Sequence, residues 1–133
     1  MSLPLLITNN RCCAEAFTEY GICLFDESWD YGQVLKEVRD KAHQGYLMLS
    51  HPQCGSMKPN QTPYKSVVLA LKTMDGQDTF AGVSLAEQAL LTYEKFQEMH
   101  PTPAWPENVL EDFRTIDLSL MQSVFNRLLK HCQ

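Results

Sequence analysis

The residues able to do chemistry crowd into one stretch, 50–66, which reads Ser50-His51-Pro52-Gln53-Cys54-Gly55-Ser56-Met57-Lys58-Pro59-Asn60-Gln61-Thr62-Pro63-Tyr64-Lys65-Ser66. It holds hydroxyls, an imidazole, a thiol, amides and two lysines. A Gly-Ser turn with a lysine two positions on presents backbone N–H groups and a cation to an anion. The pattern is not a P-loop, which needs G-x-x-x-x-G-K-[ST] opening a helix; here Pro59 follows Lys58. His51 is the natural acid–base candidate, but beside a proline it reads first as a hydrogen-bonded turn residue. Cys54, near Lys58, is a candidate low-pKa thiol, and a small buried hydrophobe is the plainer reading. No third group is evident to orient a Cys54–His51 pair, so catalytic residues stay unassigned. Asn60-Gln61-Thr62 matches the glycosylation sequon only by chance in a chain that shows no secretion signal.

Three prolines, Pro52, Pro59 and Pro63, bar regular structure in this stretch. Structureless loops of this length are usually functional or disordered. The elements that hold it follow from periodicity. Residues 3–8, apolar and stopping at Asn9-Asn10, read as a buried strand. Residues 11–20 read as a helix capped by Asn10 and ended by Gly21. Residues 22–25 form a second strand, ending at Asp26-Glu27. Asp30 caps the next helix, with Gln33 in capping-box position and Gly45 past its end. Tyr31, Val34, Leu35, Val38 and Ala42 are its apolar face. Residues 46–49 and 66–71 are further strands, and 73–82 a polar loop. Ser84 with Glu87 signals a helix reaching about residue 99, with Leu85, Ala86, Ala89, Leu90, Tyr93 and Phe96 inward. Pro106 opens a helix through Phe113, and residues 116–129 close the chain as a separate amphipathic helix. Asp112 and Asp117 near the helix junction read as paired carboxylates or caps, with capping the better reading for Asp117, just ahead of Leu118, Leu120 and Met121; Trp29 and Trp105 read as pocket lining or, more usually, as half-buried core.

Alternating strands and helices predict an α/β domain spanning 1–133: a small, mostly parallel four-stranded sheet covered by helices, Rossmann-like and three-layered, with a helical C-terminal region. In such a sheet the strand ends share one edge, where ligands bind. Asn9, Asn10, Ser50, His51, Gly55, Ser56, Lys58, Asn60, Thr62, Tyr64 and Lys65 are therefore the expected ligand-binding residues.

Composition bounds the classes. With 133 residues, 44% hydrophobic and 20% charged, the chain is long enough for one ordinary core. A net charge of −5 argues against nucleic acid and membrane surfaces as partners. No apolar run reaches the roughly 20 residues of a membrane helix. Five cysteines at irregular spacing, with no export signal, read as reduced thiols in the cytoplasm. Adjacent Cys12-Cys13 lack zinc-site spacing, so no metal and no cofactor are expected.

Several segments are similar to the GrdX family, small proteins encoded beside the glycine reductase genes of amino-acid-fermenting anaerobes. They are Ile7-Thr8-Asn9-Asn10, Val38-Arg39-Asp40, His43-Gln44-Gly45, His51-Pro52 and the continuous string from Gly55 to Ser66, with Leu110-Glu111-Asp112-Phe113 and Ile116-Asp117-Leu118-Ser119-Leu120 near the end. The resemblance implies a cytoplasmic accessory protein of that system and imports no catalytic residue. The reductase yields acetyl phosphate, so an anion-binding loop suits the setting. Partners expected on this reading are a small anionic metabolite or a glycine reductase component. Two other classes compete: a small phosphoryl- or acyl-transfer enzyme using His51 and Lys58, and a structural protein that forms a homo-oligomer through its last helix.

Overall fold

The computed structural model describes residues 4–50, 58–71 and 77–131. The order is β1 (Leu5–Thr8), α1 (Arg11–Phe17), β2 (Ile22–Phe25), α2 (Tyr31–His43), β3 (Tyr46–Met48), β4 (Ser66–Leu71), α3 (Gln77–Met99) and α4 (Glu107–His131). The four strands form one sheet in the order β2-β1-β4-β3. The β1 strand pairs parallel with β2 and antiparallel with β4, and β4 pairs antiparallel with β3. The sheet is therefore mixed, which corrects the expected mostly parallel, Rossmann-like arrangement. The reason is local. Parallel neighbours need a crossover, usually a helix, and Pro52, Pro59 and Pro63 disfavour one between β3 and β4.

The shared edge survives this correction. Because β4 runs against both neighbours, β1, β2 and β3 all point the same way. Their C-terminal ends and the start of β4 at Ser66 lie together. The central strands are the continuous apolar runs: Leu5, Leu6, Ile7, Val67, Val68 and Leu69 are all buried, as burial on both faces requires. On one face Leu5, Ile7, Val67 and Leu69 pack with Val34 and Val38 of α2 and Ala86 of α3. On the other, Leu6 and Val68 pack with Cys13 and Phe17 of α1 and Met121, Val124 and Phe125 of α4. The result is helix, sheet and helix in three layers.

Caps fix the helix ends. Asn10 opens α1 by accepting from the Cys12 N–H at 3.0 Å, and Asp30 opens α2 by accepting from the Gln33 N–H at 2.7 Å. The Gln33 side chain turns to Glu37 instead of completing the capping box. Gly45 takes φ 102° past α2, a backbone state in which a side chain would be strained. Residues 18–20, expected in α1, are a turn.

Two helix boundaries are corrected. The expected loop at 73–82 is helical from Gln77 onward, so Ser84 lies inside α3 and caps nothing. Gly82 is tolerated within it because an interior glycine costs only about 1 kcal/mol, against the packing of α3 on α2 and β3. Likewise the two expected C-terminal helices are one, α4, which begins immediately after Pro106. No helix among the described residues is long and apolar enough to cross a membrane.

Candidate functional site

The site grows from the end of β1. Thr8, Asn9 and Asn10 are all buried, and each is consumed by a different task. The Asn9 amide N–H₂ donates to the carbonyls of Trp29 and Pro63 at 2.9 and 2.8 Å, and its Oδ1 accepts from the Lys65 N–H at 2.9 Å. That one side chain fastens residues 63–65 onto the sheet. The Asn10 amide N–H₂ reaches the Arg114 carbonyl at 2.9 Å and Asp117 Oδ2 at 3.1 Å. It thereby ties the start of α1 to the middle of α4.

Asp117 is the centre of the cluster. It is 7% exposed. Its Oδ2 accepts from Ser66 Oγ at 2.6 Å, from Asn10, and from the Cys13 thiol at 3.5 Å. Since Ser66 gives its proton to Asp117, the Thr8 hydroxyl, 2.6 Å away, donates to Ser66. Thr8 Oγ1 in turn accepts from the Asn10 backbone N–H at 2.9 Å. Buried polar groups must be paired in this way, because an unpaired one costs about 1–3 kcal/mol. Burial, reinforced by the Asp117 carboxylate, pushes the Cys13 thiol far above its ordinary value. It stays a neutral thiol and is no nucleophile at neutral pH.

Beside this cluster a cleft opens between residues 62–66 and α4. Thr62, Tyr64, Lys65 and Ser66 form one side, Ile116, Asp117 and Leu120 the other, with Tyr31 of α2 contributing a ring. Its volume is about 20 Å³, on the scale of one water. Lys65 is only 5% exposed, and its Nζ lies 5.8 Å from the centre of the Tyr31 ring. Tyr64 is held from outside: its hydroxyl accepts from Arg114 Nη1 at 2.8 Å, and Arg114 also bonds Glu107. That contact with Glu107 raises the Arg114 pKa further, so the cation is fixed.

The structure thus brings Thr62, Tyr64 and Lys65 together in one wall, with Asn9 bonded behind it and Asn10 bonded to Asp117 of the opposite wall. Ser50 lies at the same edge, but its hydroxyl accepts from the Val68 N–H at 2.9 Å. Asn60 donates to the His100 carbonyl at 3.0 Å, while its Oδ1 is buried without a partner among the described residues. Lys58 is exposed, outside the cleft wall, and its backbone N–H bonds Gln61 Oε1 at 3.1 Å. His51, Gly55 and Ser56 lie outside the described residues, as does Cys54. Sequence reasoning passed over Tyr31 and Arg114 as site residues and read Asp117 as a cap. The signal for Asp117 was its spacing, four residues after Phe113 and four before Met121, which puts the three on one face of a continuous helix.

Among the described residues no group of three His, Cys, Asp or Glu side chains is placed to hold a metal ion. In comparison with known proteins, the family model described as GrdX-like protein matches residues 5–126. No curated protein and no solved structure matches the chain.

Proposed function

The chain belongs to the GrdX-like protein family, and on that premise we propose that it is a non-catalytic accessory protein of the glycine reductase system that binds a small metabolite through an anionic group. The observation that carries this reading is Lys65, a lysine 95% withdrawn from solvent, in the wall of a cleft at the shared strand edge. A buried ammonium beside apolar side chains attracts an anion more strongly than a surface lysine does, because the surroundings screen less. Phe113, Ile116 and Leu120 supply that apolar surface. The non-catalytic part rests on the state of the reactive groups. Asp117 is committed to three donors, and Cys13 beside it keeps its proton.

The test is a thermal-shift panel on the wild type, Lys65→Met and Lys58→Ala. It contains acetyl phosphate, phosphate, sulfate, acetate and small amino acids. A ligand at a hundred times its Kd adds about 2.7 kcal/mol, on the order of 10 °C for a domain this size. The expected result is a selective shift, kept in Lys58→Ala and lost in Lys65→Met. A shift lost only in Lys58→Ala moves the site to the outer loop. A panel flat for all three proteins removes the metabolite reading and leaves a reductase component as the partner to test.

A further inference from the structure

We propose that the outer edge of β2 is an interface at which two copies of this chain join their sheets, β2 against β2, about a two-fold axis. This surface is separate from the cleft. The first observation is the state of the edge. In the order β2-β1-β4-β3, β2 has a strand on one side only. Its pairing with β1 uses the backbone of Ile22 and Asp26, whose N–H groups donate to the Pro4 and Thr8 carbonyls at 2.9 and 3.4 Å. By the alternation of a strand, the N–H and C=O groups of Cys23 and Phe25 point away from the sheet. Among the described residues nothing takes them up. Such an edge is ordinarily blunted by lysine, proline, a bulge or a covering element. Here it reads Ile-Cys-Leu-Phe, with Ile22 60% and Phe25 37% exposed. The opposite edge, β3, is shorter, half-buried throughout, and lies against α2 and α3.

The second observation is that the strand is complementary to itself. Antiparallel strands bond through residues that both face outward. A two-fold pairing therefore sets Cys23 opposite Phe25 of the other copy and puts Leu24 on the axis, and every outward backbone group of β2 is then bonded. Charge selects this register. Asp26 and Glu27 face Ile22 and Gly21 of the other copy, which are uncharged, and Glu27 keeps its own partner Arg11. Sliding the copies one step either way sets Glu27 against Glu19 or against Cys23. The two Asp26 carboxylates lie at opposite ends of the ladder, about 13 Å apart at the rise of a strand, beyond the roughly 8 Å over which exposed charges act in physiological salt. Bulk is matched as well. Phe25 meets the small Cys23 with Gly21 beside it, and on the other face Ile22 lies diagonal to Leu24 of the second copy. A foreign extended segment could use the same edge, but it would have no reason to keep this register.

The test is sedimentation equilibrium of the full chain from about 1 µM to about 1 mM, the range in which a small interface associates. The wild type should move from the mass of one chain toward that of two. Ile22 is the probe, because it is exposed and the register sets it opposite Asp26. Ile22→Glu puts like charges there, twice per dimer, and should raise the dimer Kd at least about tenfold. Ile22→Lys puts opposite charges there and should leave Kd near the wild-type value. Amide hydrogen exchange on the wild type needs no variant. The Cys23 and Phe25 N–H groups should become protected as concentration rises, while that of Ile22, bonded to Pro4, is protected throughout. A chain that stays monomeric at every concentration overturns the second copy as the occupant. A dimer that both variants weaken equally, or that neither weakens, overturns this pairing and moves the contact to another surface.

Discussion

Ser66 passes its hydroxyl proton to Asp117 at 2.6 Å and accepts one from Thr8 at the same distance. Removing that oxygen leaves two buried groups each short of a partner. Ser66→Ala should therefore cost about 1–3 kcal/mol, read as a lower urea midpoint with an unchanged slope. Cys13 gives a second residue-scale prediction, and its sign is fixed by linkage. A folded-state thiol pKa raised above the unfolded value near 9 means that the unfolded chain sheds this proton first. The contribution is full below about pH 9 and is lost as pH climbs above it. Stability should fall across the alkaline range, and Cys13→Ala should flatten part of that fall in urea titrations at successive pH values. The same burial predicts that Cys13 resists a thiol reagent such as iodoacetamide until the chain unfolds. At this scale the sequence was half legible. Asn10 as a cap and Asn9 beside the site followed from residue type and position. Asp117 did not, because an aspartate before an apolar run looks the same whether it begins a helix or faces inward within one. Only the partner, Ser66, fifty-one positions earlier, tells them apart.

Helices α2 and α3 meet through Gly32. A Cβ there would lie 2.6 Å from Cε2 of Tyr93, whose ring stacks on Tyr31 with centroids 5.3 Å apart. Gly32→Ala should cost about 1–3 kcal/mol by overpacking, and much of that cost should vanish in a Tyr93→Ala background, measured as a double-mutant cycle. Gly21 is stricter. A Cβ there would stand 2.2 Å from the Pro4 carbonyl oxygen, which is backbone and cannot rotate aside. Gly21→Ala should destabilise more than Gly32→Ala in the same denaturation assay. Element identity was legible wherever a cap and a periodic face agreed, as for α2. It failed where a local signal stood alone. Ser84-x-x-Glu87 has capping-box spacing, but the hydrogen bonds of a helix already begun at Gln77 leave that cap nothing to do. Residues 114 and 115 looked like a break between two helices, yet the chain keeps helical geometry there because Phe113, Asp117 and Met121 all need the same inward face.

At the scale of the molecule, α4 closes one side of the sheet by covering Leu6 and Val68 and by delivering Asp117 to the strand edge. A chain truncated after residue 104 loses both. It should show no cooperative thermal transition by near-UV circular dichroism, whereas the full chain should unfold in one step. The class, helices over a sheet, was legible from the alternation of elements. Strand direction was not, because it turns on whether residues 50–66 cross the sheet or turn back, and prolines and amides permit both.

The position of β4 has a consequence for how the protein is made. As the chain leaves the ribosome, β1, α1 and β2 can assemble early, but β3 emerges with no strand to pair with, since among the described residues its pairing partner is β4, synthesised later. The side-chain amide of Asn10 waits longer still, until residue 117 appears. Contacts this distant along the chain slow folding, so the nascent protein carries an open strand edge until β4 is made, and an uncovered sheet face until its last helix follows.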